Sequence, residues 1–443
     1  MDDRSLAPDG SLLARLQTGL GGAVWRRILN GTLANLVDKL AVLAMQLLAI
    51  PLLSHHWGAE GYGTWLMLMT VPTYIAVSDF GLGAAAGVEI TRHAARGDTK
   101  AALRVFQSAW VFVFAILAVV GVTMALYAAL VTSGTLGGSP ELAVSVLLVT
   151  LYAIAAVQMT TLAIVYRATH KFALAMSISA AVIAAEAVTM AVVVLVGGQL
   201  VAVLSALLIV RIIGWAVTWL VLRRLEPWAR LGIDSASLTT LRSLMRPSLA
   251  AFSMMLASSI SLQGMVLAIG FVAGPVAAGI LGAARFLSRI PLQFSGLVMR
   301  ASLPEMTRAQ LSADNELHRR LDRINTASAL IPTLPFVLLL PLFGPQLLAG
   351  MSGDALAADW WLFGLLAMTT AVGALWQAMA SPLIAANRQA RFAYGYAVVS
   401  AGAVAAVFLP GTPALAVAAG APLLAELAMV ALIHKVKSPP YDR

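Results

Sequence analysis

Polar residues are so sparse along this chain of 443 residues that its pattern is a succession of apolar blocks broken by short basic segments. A helix needs about 20 consecutive apolar residues to cross the hydrocarbon core of a bilayer. Blocks of that order fall at 33–54, 62–87, 106–131, 142–166, 173–196, 199–222, 245–270, 275–299, 325–349, 358–385, 391–409 and 412–433. The pattern predicts an all-α polytopic membrane protein with twelve transmembrane helices. Trp57, Trp360 and Trp361 near one set of block ends, and Trp228 near the other, suit the aromatic belt of a membrane interface. Residues 1–32 precede the first block and show no cleavable signal pattern, so none is expected there. Arg15, Arg26 and Arg27 set among Leu12, Leu13, Leu16 and Leu20 suit an interfacial helix on the inner leaflet, with a soluble arm as the alternative.

The charges orient these spans. With the N-terminus inside, the outer loops near 55–61, 132–141, 197–198, 271–274, 350–357 and 410–411 contain no Lys or Arg. Of the 29 Lys and Arg residues, all except Lys39, Arg211, Arg285 and Arg289 fall in the inner segments. Removing or adding one span would put a basic loop outside, so the asymmetry supports both an even count and cytoplasmic termini. The net charge of +9 would suggest nucleic acid in a soluble protein. Here it is the ordinary excess of retained inner cations, and no nucleic-acid partner is expected. A content of 60% hydrophobic and 11% charged residues, against roughly 25% charged in soluble domains, fits the same picture. The absence of cysteine excludes disulfides, thiolate metal sites and cysteine nucleophiles, and leaves the redox compartment open.

An internal repeat divides the chain. Glu89-Ile90-Thr91-Arg92 returns as Glu305-Met306-Thr307-Arg308, 216 positions later, and at the same offset Asp98 returns as Asp314 and Arg104 as Arg320. Each block follows an even-numbered span. A duplicated six-span unit explains this, giving an N-terminal half over 33–235 and a C-terminal half over 236–443. Both halves then start inside and are parallel repeats, an arrangement common in transporters with a substrate site between the halves.

Catalytic chemistry finds little support. Outer loops of about ten residues or fewer leave no room for a folded acceptor site. The six histidines, His55, His56, His93, His170, His318 and His434, lack the spacing of a metal site. Gly81-Leu82-Gly83 with Gly87 follows no strand and so is not a dinucleotide loop. Neither enzyme activity nor a resident metal or cofactor is expected, beyond coupling to H+ or Na+.

The remaining chemistry lies in charges inside the spans. A cation at mid-membrane costs roughly 2.5–3.5 kcal/mol on insertion scales, so Lys39, Arg211, Arg285 and Arg289 imply pairing or a watery cavity. Lys39 is open between a substrate role and a pair with Asp79 of the neighbouring antiparallel span, whereas Asp38, adjacent to Lys39, points elsewhere on the helix. Arg211 is open between a substrate role and a pair with Glu186 of the preceding span. Arg285 and Arg289 are four apart on one face, where two guanidiniums repel unless an anion sits between them. Guanidinium forks match phosphate oxygens, which points to an anionic substrate bearing phosphate or diphosphate. Glu186 is also a candidate carrier of a coupling ion, and Glu426 a buried acid of less definite role. Pro72, Gly81 and Gly83 in the second span and Pro291 in the eighth are candidate hinges.

The stretch Leu52-Leu53-Ser54-His55-His56-Trp57-Gly58-Ala59-Glu60-Gly61-Tyr62-Gly63, followed by Ser78-Asp79-Phe80-Gly81-Leu82-Gly83 and Glu89-Ile90-Thr91-Arg92, resembles polysaccharide (O-antigen, Wzx-type) flippases. These belong to the multidrug/oligosaccharidyl-lipid/polysaccharide exporter superfamily. Ala283-Ala284-Arg285 and Leu303-Pro304-Glu305-Met306-Thr307-Arg308 are similar to the corresponding part of the second half. The resemblance covers 33–105 well and 275–325 loosely. It implies two six-helix bundles around a cationic central cavity in a bacterial cytoplasmic membrane. The implied substrate is a polyprenyl-diphosphate-linked oligosaccharide, moved to the outer leaflet by alternating access, with Arg285 and Arg289 on the diphosphate and the tail in membrane lipid. A glycan polymerase or copolymerase is a candidate partner. Lipid II flippases of the superfamily have fourteen spans, against twelve expected here, and its drug exporters favour acidic cavities. A drug or small-solute antiporter, a non-transporting scaffold of a glycan synthesis complex, and, more distantly, a membrane transferase are the rival readings.

Overall fold

The computed structural model describes residues 22–311, 314–385 and 390–437. Among these the secondary structure is helical: α1 (Gly22–Leu68), α2 (Val71–Val77), α3 (Leu82–Ala95), α4 (Thr99–Thr132), α5 (Pro140–Ala168), α6 (Phe172–Leu195) and α7 (Leu200–Leu225). A second series follows: α8 (Leu238–Ser259), a π-helical turn (Ile260–Gly264), α9 (Met265–Ser288), α10 (Ile290–Leu311), α11 (Asn315–Ser352), α12 (Trp360–Ala385), α13 (Ala390–Ala406) and α14 (Ala414–Lys437). Of the expected N-terminal interfacial helix, residues 1–21 lie outside the described residues.

Nine stretches among the described residues are long and apolar enough to cross a membrane, and Phe392–Ala406 is a shorter apolar helix. Two of the nine are double. In α1 the helix breaks at Gly58 (φ 69, ψ −175), and in α9 at Gly274 (φ 86, ψ 171), left-handed torsions that a Cβ would strain. The chain folds back at both points. Gly270 and Gly282, on opposite sides of Gly274, lie against Met67 and Leu66, and Tyr74 reaches Gly264. Counting each double stretch as two and Phe392–Ala406 as one gives twelve candidate crossings among the described residues. Val119, Val122, Leu126, Leu338 and Leu339 are exposed on outward faces, where lipid is the solvent that suits them.

The two sides of the fold separate as the charges require. On the cation-poor side Trp57 Nε1 donates to the Gly198 carbonyl at 3.1 Å, and His55 packs on Gly353. On the basic side Lys171 pairs with Glu226, and Arg92 Nη1 donates to Glu89 at 2.9 Å. The segment joining the two series is fixed there to α4. Gln107 bonds both the Arg230 carbonyl (3.2 Å) and the Ser235 amide (2.7 Å), and the Ser237 amide donates to Ser108 Oγ at 2.8 Å. Asp98 accepts from the Ala101 amide and Asp314 from the Leu317 amide, both at 2.9 Å, so the residues 216 positions apart cap their helices identically. The side chains of Glu305 and Arg308 lie outside the described residues.

The two series meet most tightly where α1, just past Gly58, crosses α9 just past Gly274. Gly63 lies so close to Pro275 that a Cβ there would sit 1.8 Å from the Pro275 carbonyl oxygen, and Gly279 stacks on Gly63 in return. Gly63→Ala is therefore expected to open the cation-poor side. A cysteine introduced at Ala278, buried here in a chain with no cysteine of its own, should become reactive to a membrane-impermeant reagent only in the Gly63→Ala background. Equal protection in both backgrounds would refute this closure.

Candidate functional site

Below that closure lies a cavity of about 490 Å³ walled by both series. Its volume is within the ~300–1,000 Å³ typical of small-molecule sites. Gln46 of α1 faces it before the Gly58 break, with Tyr62 and Trp65 after it. Pro72 and Thr73 of α2, Tyr152 of α5, Glu186 of α6 and Arg211 of α7 complete one wall. The facing wall carries Gln263 from the π-helical turn, Arg285 from α9, and Arg289 and Gln293 at and beyond its end.

The first wall holds a compact ionic cluster. Arg211 Nη2 donates to Glu186 Oε2 at 2.5 Å and to Tyr152 Oη at 2.7 Å, and Tyr152 Oη donates in turn to Glu186 Oε2 at 3.2 Å. The guanidinium carbon lies 4.9 Å from the centre of the Tyr152 ring, adding a cation–π contact. The pairing is incomplete: among the described residues, Glu186 Oε1 and Arg211 Nε are buried without a hydrogen-bond partner.

On the facing wall the two arginines differ. Arg285 is buried and donates to the Ser261 carbonyl at 3.0 Å, with a longer contact of 3.5 Å to the Leu262 carbonyl. Both acceptors belong to the π-helical turn. One extra residue in a helix displaces carbonyls from the i→i+4 ladder and leaves them open to another donor. Arg289 sits at the break between α9 and α10, half-buried. Its guanidinium makes no hydrogen bond or ion pair among the described residues, although it feels Glu426 and Tyr396 electrostatically. Glu426 lies outside the cavity wall and accepts from Trp376 Nε1.

Residues 28–310 match the family described as polysaccharide biosynthesis protein. The chain belongs to that family. No curated protein matches it in sequence. In fold it is similar to an inward-facing multidrug resistance MATE family transporter of the MOP superfamily, with a TM-score of 0.69 and 15% identity over 92% of this chain and 100% of the other. An outward-facing transporter of that description gives 0.58 and 17% identity over 93% and 94%, and a eukaryotic MATE transporter 0.63 and 12% over 93% and 94%. This polysaccharide biosynthesis family member thus shares its fold with those transporters.

Of the residues singled out by charge, Arg211, Glu186, Arg285 and Arg289 come together around the cavity, and Lys39, Asp38, Asp79 and Glu426 do not. The pair expected between Lys39 and Asp79 is replaced by Lys39 Nζ on Asp38 Oδ2 at 3.1 Å. Neighbours on a helix point apart, but four methylenes let the ammonium curl back. Asp79 is engaged in its own turn, accepting from the Gly81 amide at 2.8 Å where Phe80 (φ 51) and Gly81 (φ 73) are left-handed. The lysine side chain is 47% exposed and stands away from the cavity, so it is no part of this site. The hinge candidates fall at real helix breaks. Pro72 is in the first turn of α2, Gly81 caps α3 at the α2–α3 break with Gly83 in the first turn of α3, and Pro291 follows the α9–α10 break. Tyr152, Gln46, Gln263 and Gln293 were invisible to a search for charge alone. Extending that search to uncharged polar side chains within apolar blocks would have found them.

Proposed function

We propose that this protein is a flippase that carries a polyprenyl-diphosphate-linked oligosaccharide from the inner to the outer leaflet of a bacterial cytoplasmic membrane, with its termini in the cytoplasm. The observation that carries this reading is the charge of the cavity. Three guanidiniums, Arg211, Arg285 and Arg289, face it with one carboxylate, Glu186. Glu186 is spent on Arg211, which leaves the Arg289 fork free for a phosphate group. A cationic drug would meet net repulsion there, so the drug-antiporter reading is disfavoured. Membership in a polysaccharide biosynthesis family supports a glycan passenger, and the transporter fold supports movement over scaffolding.

In this reading the passenger loads from the basic side, because α1 and α9 are packed shut on the other. The 33–235 and 236–443 halves rock about the cavity, with Pro72, Gly81, Gly83 and Pro291 absorbing the change. Glu186, held by Arg211 and Tyr152, is the carrier for a coupling proton or sodium ion. Depleting the protein tests this directly: diphosphate-linked glycan should accumulate on the inner leaflet, and a drug-tolerance change with normal surface glycan would reject it.

A further inference from the structure

Three cavity side chains have chemistry that a diphosphate does not use. Gln46, Gln263 and Gln293 face the cavity, and among the described residues their amides make no hydrogen bond within the protein. Three glutamines elsewhere in the fold are engaged, whereas Gln346 and Gln377 are not, among the described residues. Gln107 holds the segment after α7, Gln158 accepts from Trp110 Nε1 at 2.8 Å, and Gln310 donates to the Pro382 carbonyl at 2.9 Å. Gln46 and Gln293 are exposed to the cavity and Gln263 is part-buried, so all three amides are open to whatever fills it. Three unpartnered amides collected on one cavity from both series point to a ligand.

The ligand's class follows from the amide itself. It offers donors and an acceptor side by side without charge, the complement of adjacent hydroxyls on a sugar ring. Phosphate oxygens accept only and are better met by guanidinium. Placement agrees. Arg285, Arg289 and Gln293 follow one another at steps of four, and Gln263 succeeds Leu262, whose carbonyl meets Arg285. Two amides therefore flank the arginine pair on one wall, and Gln46 faces the cavity from the other series. In a diphosphate-linked glycan the first sugar is bonded to the phosphate, so a diphosphate held by Arg289 places that ring among these amides.

We infer that Gln46, Gln263 and Gln293 form a subsite for hydroxyl groups of the first, uncharged sugar, distinct from the cationic subsite for the diphosphate. The inference rests on the flippase reading and adds what that reading lacks, the residues that distinguish a glycosylated lipid from a bare one. The subsite spans both series, so it is complete only while they enclose the cavity.

The test uses the full chain in lipid nanodiscs and measures binding of a short-chain polyprenyl diphosphate. The same lipid is then tested bearing one glucose, galactose, N-acetylglucosamine or N-acetylgalactosamine. Wild type should bind at least one glycosylated lipid about tenfold more tightly than the bare lipid. Gln263→Met with Gln293→Met, and separately Gln46→Met, keep side-chain length and remove the hydrogen bonds. Each should erase most of that increment, roughly five- to tenfold, since a net neutral hydrogen bond is worth about a decade at most. Affinity for the bare lipid should stay within about twofold. Equal binding of all lipids by wild type, variants that keep the increment, or variants that lose both lipids equally would overturn the sugar subsite alone. No saturable binding of any of these lipids, bare or glycosylated, would overturn the flippase reading with it.

Discussion

Arg289→Ala is expected to abolish glycan export while leaving a folded protein, whereas Arg285→Ala is expected to weaken the fold itself. The difference comes from what each guanidinium already touches. Arg289 makes no hydrogen bond or ion pair among the described residues, so its truncation orphans nothing in the protein. The loss falls on the passenger, for which a charge-assisted hydrogen bond is worth about 1.5–3 kcal/mol, or roughly ten- to a hundredfold in affinity for each bond. Arg285 satisfies the Ser261 and Leu262 carbonyls at the π-helical turn. Removing it deprives the Ser261 carbonyl of a charged donor, worth about 1.5–3 kcal/mol, and the helix around 260–264 should loosen. Arg289→Lys should recover part of the transport, since a point charge replaces a fork. Transfer of labelled lipid-linked glycan from the exposed cytoplasmic leaflet to the lumenal leaflet of inverted vesicles, read beside thermal unfolding in detergent, separates the two arginines. Unimpaired export by Arg289→Ala would remove the diphosphate from the proposed site.

Much of this fold is written in coarse features of the chain. Apolar block length and the one-sided distribution of cations specify crossings and sidedness, because the bilayer punishes any other arrangement at several kcal/mol per misplaced polar group. The break at Gly58 falls in the outer loop expected at 55–61, and that before Val71 lies beside the hinge candidate Pro72. The π-helical turn was not legible. Ile260-Ser261-Leu262-Gln263-Gly264 carries no local signal for an extra residue per turn, and the Arg285 donor it receives lies 24 positions from Ser261. The same limit governs the ion pairs. Glu186 with Arg211 was foreseeable from adjacent spans, but Lys39 with Asp38 was not, since the reach of a lysine side chain decided it and Asp79 was taken by its own turn. Charge marks a candidate site in such a sequence; only packing says which charges are already spent.

That distinction gives the second large effect, at the Glu186–Arg211 pair. Arg211→Met should leave the Glu186 carboxylate fully buried with only Tyr152 as a donor, and breaking one side of a buried ion pair costs about 3–5 kcal/mol. Protonation of the orphaned carboxyl limits the loss, so the apparent Tm of Arg211→Met should recover as pH falls and the carboxyl takes up its proton. Glu186→Gln should be milder in stability, because Arg211 remains against Tyr152 and can turn towards water in the cavity. The double variant Glu186→Leu with Arg211→Met removes both charges together and should return most of the stability, as apolar replacements of buried pairs commonly do. Transport should not return with it. A pair retained only for stability could be exchanged for a hydrophobic contact without loss of export, whereas a pair that carries a coupling ion cannot. Wild-type export by the double variant would therefore assign Glu186 to the scaffold and send the search for the coupling group elsewhere in the cavity.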